Sequence, residues 1–330
     1  SYAILAPNPH NRQPWIVELK SDTEAILGCD LGRLLPETDP FDRQIVIGLG
    51  CFLELFSLAA GHDGFRALIE LFPQGEPENR LDSRPIAHLR LVPDAKFAAD
   101  PLFAYAMQRR TNRSPYRTTR PVSEQDLEAI NATAGPAVIA AGTVAGARLQ
   151  QLRDLSQAAL RDEINDPVAF GESVDLMRIG RAEIEANPDG ISIGGPFLEA
   201  LAILGIVSRE AMADPDSSSF QIGLDMADEQ AQTAMGFVWI NTLGNTRNQQ
   251  IAAGRAYLRQ ALGVTSLGLS MQPMSQALQE YPAMAGHFKR AHELLAQTAG
   301  ERVQMLARIG HADTVPPAPR WALSTRIKQT

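Results

Sequence analysis

Several features that would narrow the function at once are scarce or missing. Two cysteines, Cys29 and Cys51, are too few for a disulfide framework, and they lack the spacing of a metal site. Basic residues are in deficit, 30 Lys and Arg against 38 Asp and Glu, and the net charge of −8 argues against nucleic acid or an anionic membrane as partner. No apolar run reads as long enough to span a bilayer, and no signal peptide is visible. There is no Gly-x-Ser-x-Gly elbow, no Walker-type glycine loop and no dinucleotide Gly-x-Gly-x-x-Gly pattern. His287 and His292 are five apart on an expected helix, off the spacing that puts two metal ligands on one face. Met271, Met274 and Met284 read as core filling.

What is present is an ordinary globular chain. At 330 residues, 45% of them apolar, it is long enough for one large or two modest domains with a real core. It opens on Ser1-Tyr2-Ala3-Ile4-Leu5, which reads as the interior of an apolar element, as if residues upstream had been removed.

Two stretches carry chemistry. The first runs Ala6-Pro7-Asn8-Pro9-His10-Asn11-Arg12-Gln13-Pro14-Trp15. Pro7, Pro9 and Pro14 keep it extended and exclude a regular helix. Asn8, Asn11 and Gln13 bring amides that donate and accept, which suits the edge of a flat heterocycle, and His10 and Trp15 stand among them. On composition alone a proline-rich surface turn explains it as well. The second is Arg109-Arg110-Thr111-Asn112-Arg113-Ser114-Pro115-Tyr116. In an extended conformation Arg109, Thr111 and Arg113 point the same way, and two guanidinium forks with a hydroxyl make a phosphate clamp. The plain alternative is a solvated basic loop.

Together the two stretches resemble the nitroreductase-like FMN-dependent flavoproteins. In that family an Arg-x-Ser/Thr-x-Arg element holds the FMN phosphate, and a Pro-Ser-x-x-Asn-x-Gln-Pro-Trp element from the partner subunit contacts the isoalloxazine. Here the order is reversed, which resembles the Acg-type branch, with two nitroreductase halves fused in one chain. The resemblance implies an α+β fold, a central and largely antiparallel sheet flanked by helices, and an internally duplicated pseudo-dimer acting as a monomer. It divides the chain into a first half, 1–95, with the Gln-Pro-Trp element, and a second half, 96–330, with the clamp. It implies FMN held by Pro7, Asn8, Pro9, His10, Asn11 and Gln13 on one side and by Arg109, Thr111 and Arg113 on the other. Asn8 and Pro9 stand where most relatives have two small hydroxyl residues, and His10 would overhang the flavin face. The helix holding Ala253-Gly254-Arg255-Ala256 and closing at Gly268 resembles the family helix that precedes a flavin-contacting segment, here Leu269-Ser270-Met271-Gln272-Pro273. Gly268, Ser270 and Met271 would face the ring through their backbone. The proline-rich tail ends in Arg320, the expected last basic residue on the phosphate.

Read along the chain, strands are expected at 16–19, 25–27, 67–71, 86–91, 235–240 and 303–311, and helices at 42–60, 149–163, 172–185 and 249–267. Asp39-Pro40 should start the first helix, Ser123 with Asp126 should cap another, and 73–84 should be loop. Residues 191–219, punctuated by Gly, Pro and Ser around an apolar helix at 198–207, read as a lid. An internal repeat supports the duplication: Ile47 and Gly50 with a closing Gly64 match Ile251 and Gly254 with a closing Gly268.

The function implied is an FMN-dependent oxidoreductase passing hydride and electrons through flavin N5 from a donor such as NAD(P)H to a small acceptor such as a nitro or quinone compound. The protein positions and tunes the flavin, and no catalytic acid or base and no metal site is evident. Two other readings remain: a protein that stores or sequesters FMN without turnover, and a scaffold that has lost the cofactor. Relatives in this branch often carry a twin-arginine export leader, so the resemblance leaves location open between periplasm and cytoplasm.

Overall fold

The structure, a computed structural model, describes residues 1–94, 98–195, 199–200 and 207–328. In chain order the elements are β1 (Trp15–Leu19), β2 (Glu24–Cys29), α1 (Arg43–His62), β3 (Phe65–Leu71), β4 (Ala87–Pro93), α2 (Glu124–Ala132), β5 (Ile139–Thr143), α3 (Gly146–Asn165), α4 (Pro167–Asp175), β6 (Met177–Ile179), α5 (Gly180–Ala186) and β7 (Ile191–Ile193). They continue with α6 (Arg209–Ala213), α7 (Ser218–Gln232), β8 (Gly236–Leu243), α8 (Arg247–Ser266), β9 (Ser270–Pro273), α9 (Ala285–Leu295), β10 (Glu301–Gly310) and β11 (Ile327–Lys328).

The duplication is visible in the topology. One sheet runs β1-β2-β4-β3 and the other β5-β8-β10-β9, every one of these pairs is antiparallel, and in each the long helix connects the second strand in the chain to the third. The antiparallel sheet of the expected fold is thus present once per half. After β10 the chain crosses back, and β11 adds to the first sheet parallel to β1, with Val17 opposite Ile327.

The two long helices, α1 and α8, cross at the centre, and the larger apolar cluster draws on both halves, from Trp15 and Leu49 to Leu258 and Ile309. α1 is long and apolar enough to cross a membrane by length and composition, contrary to the sequence reading, but most of it is buried as the core helix. Its start follows from Asp39, whose carboxylate accepts from the Gln44 and Ile45 N–H groups and satisfies two of the four orphan donors. Burial raises the pKa of Asp39 to about 6, against those backbone hydrogen bonds. At α2 the expected capping box forms: Ser123 accepts from the Asp126 N–H and Asp126 accepts from the Ser123 N–H.

Two expectations change. The helix over 172–185 is broken: α4 ends at Asp175, a short strand at Met177–Ile179 pairs with Ile191–Ile193, and α5 restarts at Gly180, whose φ of +78° breaks the helical run. A strand, β5, occupies a stretch of small residues where no element was expected. The larger part of the helix expected at 198–207, and residues 95–97 at the expected boundary, lie outside the described residues.

Candidate functional site

The loop ahead of β1 is held in an unusual backbone. His10, Asn11 and Gln13 all have positive φ, at 46°, 50° and 51°. A non-glycine residue there costs on the order of 1 kcal/mol or more. Pro9–Asn11 close a single 3-10 turn where the prolines suggested an extended run. The strain is offset by side chains. Asn8 Oδ1 accepts from the Gln13 N–H at 2.7 Å, and Gln13 Nε2 donates to the Pro188 carbonyl at 2.7 Å. Gln13 Oε1 accepts from the Trp321 N–H at 2.9 Å. Asn11 donates to the Pro319 carbonyl at 3.0 Å and accepts from Arg320 at 2.6 Å. The loop seats on α1 at Gly48, where a Cβ would meet Asn8 Cβ at 3.0 Å and Pro9 Cδ at 3.2 Å. Pro7 is buried beside it.

The amides of Asn8, Asn11 and Gln13 therefore do not stand free for a heterocycle edge. They brace the loop against residues up to 309 positions away. Asn11 and Gln13 do so from positive-φ backbone, while Asn8, in extended backbone, closes the loop on itself through the Gln13 N–H. Arg320 differs from expectation in the same way. Its guanidinium donates to the carbonyls of Ile4, Leu5, Ala6 and Pro319 and to Asn11 Oδ1, so no nitrogen is left uncommitted for a phosphate.

The clamp loop lies on the other side. Asn112 donates its N–H to the Met271 carbonyl at 3.1 Å and its Nδ2 to Ser270 Oγ at 3.2 Å and to the Asp313 carbonyl at 2.8 Å. This docks the loop on the first residues of β9, just past Gly268, which ends α8 with φ +67°. From below, Arg308, fully buried, donates to the Ser114 carbonyl at 2.8 Å and stacks 3.9 Å over the Tyr116 ring.

The arginines of this loop are poorly satisfied. Arg109 is 8% exposed and makes one long hydrogen bond, 3.4 Å, to the Leu5 carbonyl. Burial lowers its pKa. Burial, with Arg109 close by, lowers Arg320 to about 9. Neither guanidinium bonds to a carboxylate among the described residues, so two positive charges share one recess without a counter-ion. The Thr111 hydroxyl and the Arg113 guanidinium make no hydrogen bond among the described residues. Arg113 is open to a water-sized molecule, yet ringed by enough protein that desolvation lowers its pKa.

His10 faces the same space. Its Nε2 is 3.0 Å from Ser173 Oγ on α4, and its Nδ1 is buried without a partner. Burial, then the charges of Arg113 and Arg12, lower its pKa to about 4, so the ring is neutral. Across from it is a residue the sequence did not reveal. Glu163, near the end of α3, is 6% exposed, and burial raises its pKa to about 7 despite hydrogen bonds from Gln279 and Gln276. Its Oε2 has no partner, and Arg113 is the cation nearest in effect. A lone Glu at a helix end carries no sequence signal. The paired fork of Arg109 and Arg113 did.

So the structure brings together the N-terminal loop, the clamp and the head of β9 with an excess of unengaged cationic donors. No family model matches the chain. Over 338 aligned residues it is 27% identical to Rv3131 of Mycobacterium tuberculosis, provisionally named an NAD(P)H nitroreductase, covering 99% of this chain and 89% of that protein. Along nearly its full length the chain is thus similar to a protein named as a nitroreductase. A second nitroreductase-like relative, named acg, also from M. tuberculosis, is 31% identical over 115 residues, 34% of this chain and 33% of its own. Among solved structures, the FMN-dependent nitroreductase NfnB of Mycobacterium smegmatis, in complex with NADPH, covers 68% of this chain and 95% of its own at 17% identity and a TM-score of 0.43.

Proposed function

We propose that this nitroreductase-like chain binds one FMN between its halves and works as an oxidoreductase, taking electrons from NAD(P)H and passing them to a small nitro or quinone acceptor. One observation carries the reading: the buried, uncompensated charge of Arg109 beside Arg320, with the donors of Thr111 and Arg113 unengaged. A phosphorylated anion is what such a recess lacks. FMN, when bound, supplies reversible two-electron chemistry. The rest is the work of this chain's residues. Arg109, Thr111 and Arg113 hold the phosphate end, and Arg320 adds charge through space while tying the tail to the loop. Pro7, Pro9 and the neutral His10 wall one side, braced by Asn8, Asn11 and Gln13. Gly268, Ser270 and Met271 offer backbone on the other. Glu163, raised to about 7 by burial, holds a proton beside Arg113. The halves 1–95 and 96–330 then each contribute one side of a single composite site.

The test is an absorbance spectrum of the purified protein, followed by anaerobic NAD(P)H. A flavin spectrum that bleaches rapidly is expected. A colourless protein that takes up no FMN would overturn the reading. The sequestration alternative is favoured by one observation, the binding of residues 173–190 across the loop through Ser173, Pro188 and Asp189. A yellow protein that no nicotinamide donor bleaches would decide for it.

A further inference from the structure

Beside the Gln-Pro-Trp loop, Arg33 and Arg326 lie over the indole of Trp321, and Arg12 and Arg178 join Arg33 around Asp189. Asp189 is their hub. Its carboxylate accepts from Arg33 Nη1 at 2.6 Å, from Arg178 Nη2 at 2.9 Å and from Trp321 Nε1 at 3.3 Å, and Arg12 Nη1 is 4.0 Å away. Asp30 accepts from Arg33 Nε at 3.2 Å and lies 3.6 Å from Arg326 Nη1. Arg33 and Arg326 each place their guanidinium carbon 5.7 Å from the Trp321 ring centroid.

The charges do not balance: four guanidiniums, Arg12, Arg33, Arg178 and Arg326, meet two carboxylates, Asp30 and Asp189. In a chain with net charge −8 this local surplus needs a cause. The fork of Arg178 is spent on Asp189 and on the carbonyls of Asp175 and Met177. The others keep free nitrogens. Arg12 uses Nε and Nη2 on the carbonyls of Arg33 and Gly32, and its Nη1 makes no hydrogen bond. Arg33 Nη2 and Arg326 Nη2 make none among the described residues. None of these nitrogens is sealed from solvent, since all three side chains remain partly accessible, at 11–14% of their surface. Half-buried forks with open donors beside an aromatic face are suited to phosphate oxygens. Burial and then the neighbouring Arg33 lower the Arg326 pKa, against the opposing pull of Asp30 and Asp189.

We infer that Arg12, Arg33 and Arg326, grouped at Trp321, form a second anion site, for a pyrophosphate or phosphate ester of the kind a nicotinamide dinucleotide carries. It lies one residue along the chain from the proposed flavin recess on both strands of approach: Arg12 follows Asn11, and Trp321 follows Arg320. The dinucleotide identity rests on the proposed oxidoreductase reading. The anion site does not.

Calorimetric titration of the full-length protein with inorganic pyrophosphate, NADPH and NADH tests it, in the parent, in Arg326→Gln and in Arg12→Gln/Arg326→Gln. Arg326 makes one hydrogen bond, to Thr325, a long contact with Asp30 and a contact with the Trp321 ring, so its removal should leave the fold intact. Pyrophosphate should bind the parent, weaken at least fivefold in Arg326→Gln and by a further factor in the double variant, and weaken as salt rises, with FMN absorbance per chain unchanged. Dinucleotide binding should fall in parallel. Pyrophosphate affinity equal in all three proteins, or no binding to the parent, would overturn the site. Pyrophosphate binding of the expected pattern in a protein that neither dinucleotide bleaches would leave the anion site standing and remove the oxidoreductase reading.

Discussion

Gly50 and Gly254 stand back to back where α1 crosses α8: a Cβ on Gly254 would meet the Gly50 Cα at 2.9 Å, and a Cβ on Gly50 would meet the Gly254 Cα at 3.0 Å. Each would also strike a backbone carbonyl, of Ile47 and Ile251 respectively. The relation is reciprocal, as a two-fold interface demands, and it joins the residues of the internal repeat.

Gly254→Ala should therefore force the helices apart. The loss should be about 1–3 kcal/mol or more, because the obstacle is backbone that cannot rotate away. Gly223→Ala, in α7 with nothing within 4 Å, is the control, and should gain roughly 0.5–1 kcal/mol from helix propensity. Urea denaturation of both variants checks the contrast. Equal stability would mean the close crossing is not what holds the halves.

Arg109→Ala with Arg113→Ala should strip FMN from the protein, since charge-assisted contacts are each worth on the order of 1.5–3 kcal/mol. Removing an unpaired buried cation should leave the FMN-free form as stable as the parent or more so. Flavin absorbance per chain and thermal melts of the flavin-free proteins measure the two effects. Full flavin occupancy in the double variant would refute the clamp.

Glu163 should make stability depend on pH. Its folded-state pKa, about 7, is raised above the ordinary 4.5 chiefly by burial. Its contribution is therefore fully present below about pH 4.5 and is lost as pH rises through 7. Glu163→Gln should remove that slope and should be the more stable form at pH 8, by on the order of 2–3 kcal/mol. His10 acts with the opposite sign. Its pKa, lowered from 6.5 to about 4 by burial and then by Arg113 and Arg12, costs stability as pH falls from 6.5 to 4. The two slopes oppose one another between pH 4.5 and 6.5, so the Glu163 effect is clearest in the difference between parent and Glu163→Gln.

Asp189→Ala should loosen the cover over the loop. It leaves Arg178, largely buried, without its carboxylate and Arg33 with Asp30 alone, a loss of about 3 kcal/mol or more for that segment. Limited trypsin digestion should cut at Arg178 or Arg181 in the variant well before it cuts the parent. Unchanged resistance would show that Asp189 is not the anchor.

The long helices were legible because their apolar residues recur at helical spacing, and α2 because Ser123 and Asp126 form a capping box. The proposed clamp rests on the alternation of Arg109, Thr111 and Arg113 along the sequence. The break at Leu176–Gly180 was not, since helical periodicity alone does not register a glycine with positive φ. β5 was missed because Ala140, Ala141 and Gly142 have no β-branched signature, while its position is fixed by pairing with β8. The inward turn of Asn11 and Gln13 depends on partners at Pro188, Pro319 and Trp321, and such distant hydrogen bonds leave no mark in local sequence.

The most direct measurement is a titration of flavin-free protein with FMN, followed by absorbance and by calorimetry. One FMN per chain, bound tightly in the parent and lost with Arg109→Ala and Arg113→Ala, is the expected result. No binding, or two equivalent sites per chain, would contradict a single composite site between dissimilar halves.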